Sequence, residues 1–335
     1  STLLLADFYQ NRNNYGLIGR STFPGTENIH RNEDQLIDFI ESTMSTNSIP
    51  GISIAVVKDG SLVWNKNFGY ADINDSIMVD DDIMFSLASV SKTVTATALM
   101  QLWEQGYFLL DDSINDYLPF NVVHPDHPFT SITFKMLLTH TSGIKDRWSV
   151  MTYYDGDPLL ELGYFLEEYL VQGGEFYSQN ACYTNFEPGT SSDYSNIGAA
   201  LIGFLVESIS GQPFNEYCNE NIFGPLEMEN AAWFLSELDI EQVAVPYRLI
   251  GGNGDNCYEI GCGIYDNSNP CFCDYECIEF GDCCSDFEEV CGEDGSGNPD
   301  GTIVLSEYNH YGYADYPSGQ LRCSAKDLSK FMSAY

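Results

Sequence analysis

The segment Ser89-Val90-Ser91-Lys92 combines a serine and a lysine three residues apart, and it follows the mostly apolar segment Met84-Phe85-Ser86-Leu87. A helix is predicted over residues 89–105, and it returns Lys92 to the side of Ser89 one turn later. A serine hydroxyl is a poor nucleophile until a base removes its proton, and a lysine shielded from water can be that base. The pattern is compatible with a serine nucleophile and a lysine base, but taken alone it is a weak signal, because the same spacing occurs in many helices where the serine is only a cap.

Helices and strands alternate on either side of this stretch. Residues 34–46 carry apolar side chains at helical spacing, and Asp59-Gly60 between two apolar runs predicts a β-hairpin. Further helices are predicted at residues 133–138, which run into His140-Thr141-Ser142-Gly143, and at the strongly apolar residues 195–210. These signals indicate one mixed α/β domain.

A series of short segments carries a more specific signal. They are IPGISIAVV at 49–57, FGYAD at 68–72, SVSKT at 89–93, LLTHTSG at 137–143, PGT at 188–190, YSN at 194–196, and PSGQL at 317–321 with Asp327-Leu328. In this order they resemble the serine beta-lactamase and penicillin-binding-protein superfamily, nearest to class C enzymes and their esterase and D-Ala-D-Ala peptidase relatives. The resemblance spans residues 34–250 and 303–335 and implies a beta-lactamase/transpeptidase-like α/β fold, an antiparallel sheet flanked by helices plus a helical subdomain.

The resemblance also implies roles for four residues. Ser89 would be the acyl-accepting nucleophile, Lys92 its proton acceptor and Tyr194 a second acid or base, while Asn196 would hold Lys92 and a substrate amide. A phenol ionises at a pH of about 10, so Tyr194 needs a nearby cation such as Lys92 to move protons at neutral pH. The alternative for Tyr194 and Asn196 is an ordinary helix start.

Three neighbouring residues are weighed for the same site. His140 is interpreted as support for the fold beneath the site and not as a catalytic base, because a buried histidine with satisfied hydrogen bonds is the commoner case. Arg147 and Trp148 could line the mouth of the cleft, but nothing in the sequence decides this.

The third motif of the superfamily, K-T-G or H-x-G on a sheet strand, is expected after residues 317–321, and the given sequence stops at Tyr335. His310-Tyr311-Gly312 has the H-x-G spelling but precedes that position, so it is interpreted as a chance match. We therefore expect the last sheet strands, the last helix and one of the two oxyanion-hole amides to come from residues beyond Tyr335 or from a separate companion fragment.

Eight of the 11 cysteines crowd into a segment with few aliphatic residues. Such a segment needs covalent support; zinc is the rival to disulfides, but the spacing and the lack of a nearby histidine fit a zinc ribbon poorly. The cysteine pattern resembles a somatomedin-B domain over residues 256–292, which implies four disulfides, an oxidising compartment and a module that either binds a protein partner or is a stapled insert without one. The eight cysteines are Cys257, Cys262, Cys271, Cys273, Cys277, Cys283, Cys284 and Cys291.

An odd number of cysteines, three, remains outside this segment. Cys182, Cys218 and Cys323 remain outside the module, so at least one of them is free or pairs with something absent from this chain. Residues 293–302 are predicted to form an acidic Gly/Asn/Pro linker. Polar side chains alternate along it as they do in a calcium-binding loop, but Pro299 occupies the position where an EF-hand needs glycine, so a calcium site is not expected. No cofactor and no metal are expected.

Charge restricts the classes of partner. The chain has 13 Lys+Arg against 50 Asp+Glu, a formal net charge of −37, which argues against nucleic acid and anionic membranes as partners. The longest apolar run, residues 197–206, is shorter than the roughly 20 residues that cross a bilayer. The first residues lack a basic n-region and an initiator Met, so we interpret the sequence as the mature segment of a secreted, extracellular protein.

Two functional hypotheses follow. The first is a secreted serine hydrolase that forms an acyl-enzyme at Ser89 on an ester, a peptide or a β-lactam-like amide. The second is a catalytically silent extracellular structural or adhesive protein, in which the fold is a scaffold and the cysteine module binds partners. The four residues of the site favour the first, whereas the absent third motif favours the second.

Overall fold

The computed structural model describes residues 29–151, 153–250, 304–307 and 309–334. The predicted cysteine module at 256–292 and the linker at 293–302 lie outside these residues. By internal contacts the described chain divides into two units. The larger contains residues 51–244 and 310–334, and the smaller contains residues 29–50, 245–250, 304–307 and 309.

The regular elements are short and mostly helical. The helices are α1 (Ile29–Thr46), α2 (Ser91–Glu104), α3 (Phe134–Leu138), α4 (Leu162–Leu170), α5 (Gln179–Cys182), α6 (Asn196–Ser210), α7 (Phe214–Cys218) and α8 (Ala325–Ser333). The strands are β1 (Gly51–Lys58), β2 (Ser61–Asp72), β3 (Ile77–Met78), β4 (Phe85–Ser86), β5 (Tyr153–Asp155), β6 (Ala231–Ala232), β7 (Tyr247–Ile250), β8 (Val304–Glu307), β9 (Tyr311–Tyr313) and β10 (Arg322–Cys323).

The predicted hairpin is confirmed as the antiparallel pair β1–β2, with Gly51 opposite Gly69 and Lys58 opposite Ser61. Asp59 and Gly60 both have positive φ, 51° and 71°, which is the backbone that a two-residue turn matching the twist of the strands requires. β3 pairs with β2 to complete a three-stranded sheet, and α8 packs against β1 and β2.

Helix α6 is the centre of the core of the larger unit. It is apolar on all sides, and nine of its residues, from Ile197 to Val206, are buried. It packs against α2, α3, α4, α7 and the 3-10 turn Tyr316–Ser318. Within the described residues no single helix is long and apolar enough to span a membrane, although the bent pair Asn196–Ser210 and Phe214–Phe223 passes on length and composition alone.

A small sheet in the order β4-β10-β6 places the start of α2. The Leu87 N–H continues its ladder by donating to the carbonyl oxygen of Leu321 at 2.8 Å. Ala88 then takes a positive φ of 44°, and the 3-10 turn Ala88–Val90 leads into α2. The helix predicted over residues 89–105 is therefore a tight turn followed by an α-helix that ends one residue earlier.

The smaller unit contains α1 and the antiparallel pair β7–β8, in which Tyr247 lies opposite Glu307. The helix predicted over residues 34–46 begins earlier, at Ile29. Ile40 and Met44 are buried as its periodicity predicts, but the side chains of Leu36 and Phe39 are exposed. The sequence pattern therefore gave the right element but assigned too many residues to its buried face.

Candidate active site

Ser89 lies where two hydrogen-bond donors converge. The Tyr194 hydroxyl donates to Ser89 Oγ at 2.8 Å, and Lys92 Nζ donates to the same atom at 3.2 Å. Ser89 belongs to the turn before α2, Lys92 to the first turn of α2, and Tyr194 to the loop just before α6. Both Ser89 and Tyr194 are exposed, so a molecule in solution can reach the serine oxygen.

The Lys92 ammonium is held by three oxygen atoms. Nζ lies 2.7 Å from Asn196 Oδ1, 2.6 Å from the carbonyl oxygen of Ser318 and 3.2 Å from Ser89 Oγ. A neutral amine has two hydrogens and one lone pair. If the two shorter contacts take the hydrogens, the lone pair is directed at the serine hydroxyl.

Burial and charge act in opposite directions on Lys92. Burial lowers the pKa of Lys92 from 10.5 to about 8, while the carboxylates of Asp315 and Asp146 raise it. The amine is therefore neutral in a substantial fraction of molecules slightly above neutral pH. The same Nζ lies 4.8 Å from the ring centroid of Tyr194, where a cation and an aromatic face attract one another.

Asp146 fixes the N-terminus of α6 and with it Asn196. One carboxylate oxygen, Oδ1, accepts from the Ser195 hydroxyl and the Ile197 N–H, both at 3.1 Å. The other, Oδ2, accepts from the Asn196 backbone N–H at 3.0 Å and its side-chain amide at 2.9 Å. A carboxylate is well suited to this place because the free N–H groups of a helix start need acceptors. Because Asp146 binds the NH2 group of the Asn196 side chain, the other end of that amide, Oδ1, points to Lys92 and accepts from its Nζ.

His140 positions Tyr194. Its ring lies against the tyrosine ring, with centroids 4.5 Å apart and a tilt of 35°, and its Nδ1 accepts from the Ser195 N–H at 3.2 Å. Burial, and then the charge of Lys92, lower the pKa of His140, so the imidazole is favoured in its neutral form. This agrees with the interpretation of His140 as support, although the residue is half-buried and not fully buried.

The other sequence candidates occupy defined places. The Arg147 guanidinium donates to the carbonyl oxygen of Phe176 at 3.0 Å, and the Trp148 side chain is exposed. Tyr311 and Gly312 of the H-x-G spelling belong to β9, which pairs with β5. Whether Arg147 and Trp148 line the mouth of the cleft is left open, and the interpretation of His310-Tyr311-Gly312 as a chance match stays a prediction.

The three cysteines outside the predicted module are all free and buried. Burial raises the pKa of the thiols of Cys182, Cys218 and Cys323, so each is held in the unreactive protonated form. Within the part of the chain that the structure describes, no group of three or more His, Cys, Asp or Glu side chains is arranged to hold a metal ion.

Two residues of the site were not predicted from the sequence. Asp146 stands alone between Lys145 and Arg147, and an isolated acidic residue gives no signal that it will cap a helix far along the chain. Ser318 lies in the PSGQL segment that supported the resemblance, but it acts through its backbone carbonyl, which no residue type encodes.

A family model matches most of the chain. The family model described as Beta-lactamase matches residues 36–334. Protein flp of Staphylococcus aureus strain MW2 is 26% identical over 221 residues, which cover 65% of this chain and 42% of that protein. The chain thus spans less than half the length of this relative.

Solved structures share the fold. The octameric penicillin-binding protein homologue from Pyrococcus abyssi superposes with a TM-score of 0.56 and 24% identity, over 90% of this chain and 56% of that one. The D-amino acid amidase from Ochrobactrum anthropi SV3, solved with D-phenylalanine, gives a TM-score of 0.59 and 20% identity, over 89% and 69%. With a family model that covers most of its length, the chain belongs to the beta-lactamase family of serine hydrolases and has its α/β fold.

Proposed function

We propose that the chain is a serine hydrolase that forms an acyl-enzyme at Ser89 on an ester, a peptide or a β-lactam-like amide. The observation that carries the proposal is the position of Ser89 Oγ, within hydrogen-bond distance of both Lys92 Nζ and the Tyr194 hydroxyl. An exposed serine between a partly neutral amine and a phenol is the arrangement that nucleophilic acyl transfer needs.

In the proposed acylation step, neutral Lys92 takes the proton of Ser89 as Oγ attacks the acyl carbon. The bond from that carbon to the leaving group breaks as Tyr194 gives its proton to the leaving atom, and the proton on Lys92 then restores the phenol. Water reverses these transfers to release the acid and regenerate Ser89. Asn196 keeps Nζ in place throughout through the 2.7 Å contact.

The negative charge that develops on the acyl oxygen needs hydrogen-bond donors. The Ser89 backbone N–H is proposed as one of them. A second donor on a strand of K-T-G or H-x-G sequence stays a prediction, and loss of one such donor typically costs about 100- to 1000-fold in rate.

Secretion and the somatomedin-B-like module belong to the same proposal. Both are supported by the crowding of eight cysteines between Cys257 and Cys291, which disulfides would stabilise in an oxidising compartment. A protein partner of this module is proposed on the same ground. Amide-type substrates are further supported by two proteins that share the fold, a penicillin-binding protein homologue and a D-amino acid amidase.

Turnover by the full-length protein that contains this chain tests the proposal. The substrates are p-nitrophenyl acetate, a D-alanyl-D-alanine peptide, a D-amino acid amide and a chromogenic cephalosporin. Ser89→Ala should lower the rate on every accepted substrate by on the order of 1000-fold or more. Ser61→Ala removes the hydroxyl of an exposed serine at the start of β2, beside the Asp59-Gly60 turn, and should leave the rate unchanged.

Two outcomes would overturn the proposal. One is turnover that survives Ser89→Ala, which would place the chemistry elsewhere. The other is a folded wild-type protein that turns over none of the four substrates and does not react with a fluorophosphonate, which would favour the scaffold hypothesis.

A further inference from the structure

A buried carboxyl group lies behind Lys92 and has no part in the acyl-transfer steps. Asp315 is 3% exposed and directly precedes the 3-10 turn Tyr316–Ser318. The Ser318 hydroxyl donates to Asp315 Oδ2 at 2.8 Å, and the Ser318 N–H donates to the Asp315 backbone carbonyl at 2.9 Å. Side chain and backbone together close this turn around the carboxylate.

Helix α2 binds the same turn through two carbonyl oxygens. Lys92 Nζ donates to Ser318 O at 2.6 Å, and one helical turn later the buried Thr95 hydroxyl donates to Pro317 O at 2.7 Å. The carboxylate of Asp315 therefore orders the segment that supplies the shortest of the three contacts to Lys92. A continuous path of hydrogen bonds runs from Asp315 through Ser318 and Lys92 to Ser89.

Among the described residues, a small set of charged and titratable groups acts on this pair. Asp315 faces Lys92 of α2 and Asp146 at the start of α6, together with the phenols of Tyr153 on β5 and Tyr313 on β9. Lys92 faces Asp315, Asp146 and the neutral-favoured ring of His140. Among these groups Asp315 is the carboxylate with the larger effect on Lys92, ahead of Asp146.

Burying a carboxylate costs free energy, and a neutral acceptor could bind the Ser318 hydroxyl equally well. Burial raises the pKa of Asp315 to about 6, and the positive charge of Lys92 acts in the opposite direction. An asparagine oxygen would accept the same bond from Ser318 without the cost of burying a charge. The property that only the carboxylate provides is its negative charge beside Lys92.

We propose that Asp315 is a positioning residue for Lys92, which holds the Ser318 carbonyl against Nζ and adds a negative charge to the surroundings of the Lys92 side chain. The inference rests on the proposed function only in assigning Lys92 as the base. Its consequence is that the serine is activated at a higher pH than burial of Lys92 alone would give.

The test is a direct titration of Lys92 in the full-length protein with labelled lysine, followed by NMR. The Lys92 signal is assigned with Lys92→Arg. Asp315→Asn should lower the pKa of Lys92 from about 8 by about one unit, the usual effect of losing a nearby opposite charge. Asp81→Asn removes one negative charge from a half-buried carboxylate that accepts from Asn65 and Asn67, and it should leave the titration of Lys92 unchanged.

A reciprocal measurement keeps the test decisive if Asp315→Asn does not fold. Two coupled groups shift one another equally, so removing the charge in Lys92→Met should raise the pKa of Asp315 by the same amount. A Lys92 titration that is the same in wild type and Asp315→Asn, or an Asp315 titration that ignores Lys92→Met, overturns the inference.

The pH dependence of fluorophosphonate labelling separates this inference from the proposed function. If the Lys92 titration shifts but wild-type protein is neither labelled nor able to turn over any of the four substrates, the hydrolase proposal fails and the role of Asp315 stands. If the protein is labelled and its pH profile is the same in Asp315→Asn, the inference fails and the hydrolase proposal stands.

Discussion

The protonation state of Lys92 controls the site at the scale of single residues. With a pKa of about 8, about a tenth of the Lys92 amines are neutral at pH 7, and this fraction rises with pH. Only the neutral amine can take the proton of Ser89. The two close acceptors, Asn196 Oδ1 and Ser318 O, keep the amine oriented in both protonation states.

The rate at which a fluorophosphonate labels Ser89 should therefore rise about tenfold per pH unit below pH 8 and level off above it. Lys92→Arg keeps the positive charge but cannot lose it near neutral pH, so labelling should fall by about 100-fold or more. Labelling rates between pH 6 and pH 10 check both expectations. A flat profile in wild type would mean that Lys92 is not the base.

Asp315 should also affect stability in a pH-dependent way. Its folded pKa of about 6 lies above the ordinary value of 3.8, so the folded protein binds this proton more tightly than the unfolded chain does. The contribution of Asp315 to stability is favourable below pH 4 and is lost as the pH rises to about 6.

Asn does not ionise, so Asp315→Asn removes the loss of stability that ionisation of Asp315 causes as the pH rises. Relative to wild type, its free energy of unfolding should improve between pH 4 and pH 7, by about 3 kcal/mol at most for a shift of about two units. Urea unfolding of both proteins at the two pH values measures the change. If the difference between variant and wild type is the same at pH 4 and pH 7, Asp315 does not titrate as described.

At the scale of elements, the close approach of α6 to the turn Tyr316–Ser318 holds the site together. A Cβ on Gly203 would lie 2.6 Å from both Cβ and Cγ of Pro317, so only glycine permits this approach. Gly198, one and a half turns earlier on the same helix, would place a Cβ 3.4 Å from its nearest neighbours, the Ser195 side-chain atoms. Gly198→Ala is therefore a suitable control for Gly203→Ala, because both change a glycine of α6 to alanine and only one of them creates a steric clash.

Gly203→Ala should destabilise the protein by about 1–3 kcal/mol through overpacking, while Gly198→Ala should be close to neutral or slightly stabilising because alanine favours helix. Gly203→Ala should also slow the labelling of Ser89, since Pro317 adjoins the carbonyl that binds Lys92. Thermal unfolding and labelling rates check this. Equal effects of the two substitutions would contradict the packing account.

Local elements were more predictable from the sequence than the contacts between them. The hairpin at Asp59-Gly60 and the helix of Lys92 follow from short-range patterns, and the pairing of Ser89 with Lys92 follows from their spacing. Tyr194 and Asn196 were assigned to the site only through the resemblance to the superfamily. The Ser318 carbonyl and the cap by Asp146 were missed because both join distant segments through backbone groups. The exposure of Phe39 was missed because helical periodicity marks a face and not what covers it.

For the whole molecule, the strongest features of the sequence are its net charge of −37 and its uneven distribution of cysteine. The three described cysteines, Cys182, Cys218 and Cys323, are free and buried. The family match extends to residue 334 and so includes the segment that carries the eight other cysteines.

Counting free thiols tests whether the eight cysteines between Cys257 and Cys291 form disulfides while the other three stay free. In the full-length protein, the peptides with Cys182, Cys218 and Cys323 should react with a thiol reagent only after denaturation, because all three side chains are buried. The eight cysteines between Cys257 and Cys291 should react only after reduction. Peptide mapping without reductant makes the assignment, and free thiols or bound zinc in that segment would show the module to be of another kind.

The central claim is that Ser89 is the acyl-accepting nucleophile, and tandem mass spectrometry of the fluorophosphonate-treated full-length protein tests it most directly. We expect one adduct, on Ser89, that forms faster as Lys92 loses its proton and is absent from Ser89→Ala. An adduct of the same yield in Ser89→Ala, or one located on a different residue of the wild-type protein, would contradict it.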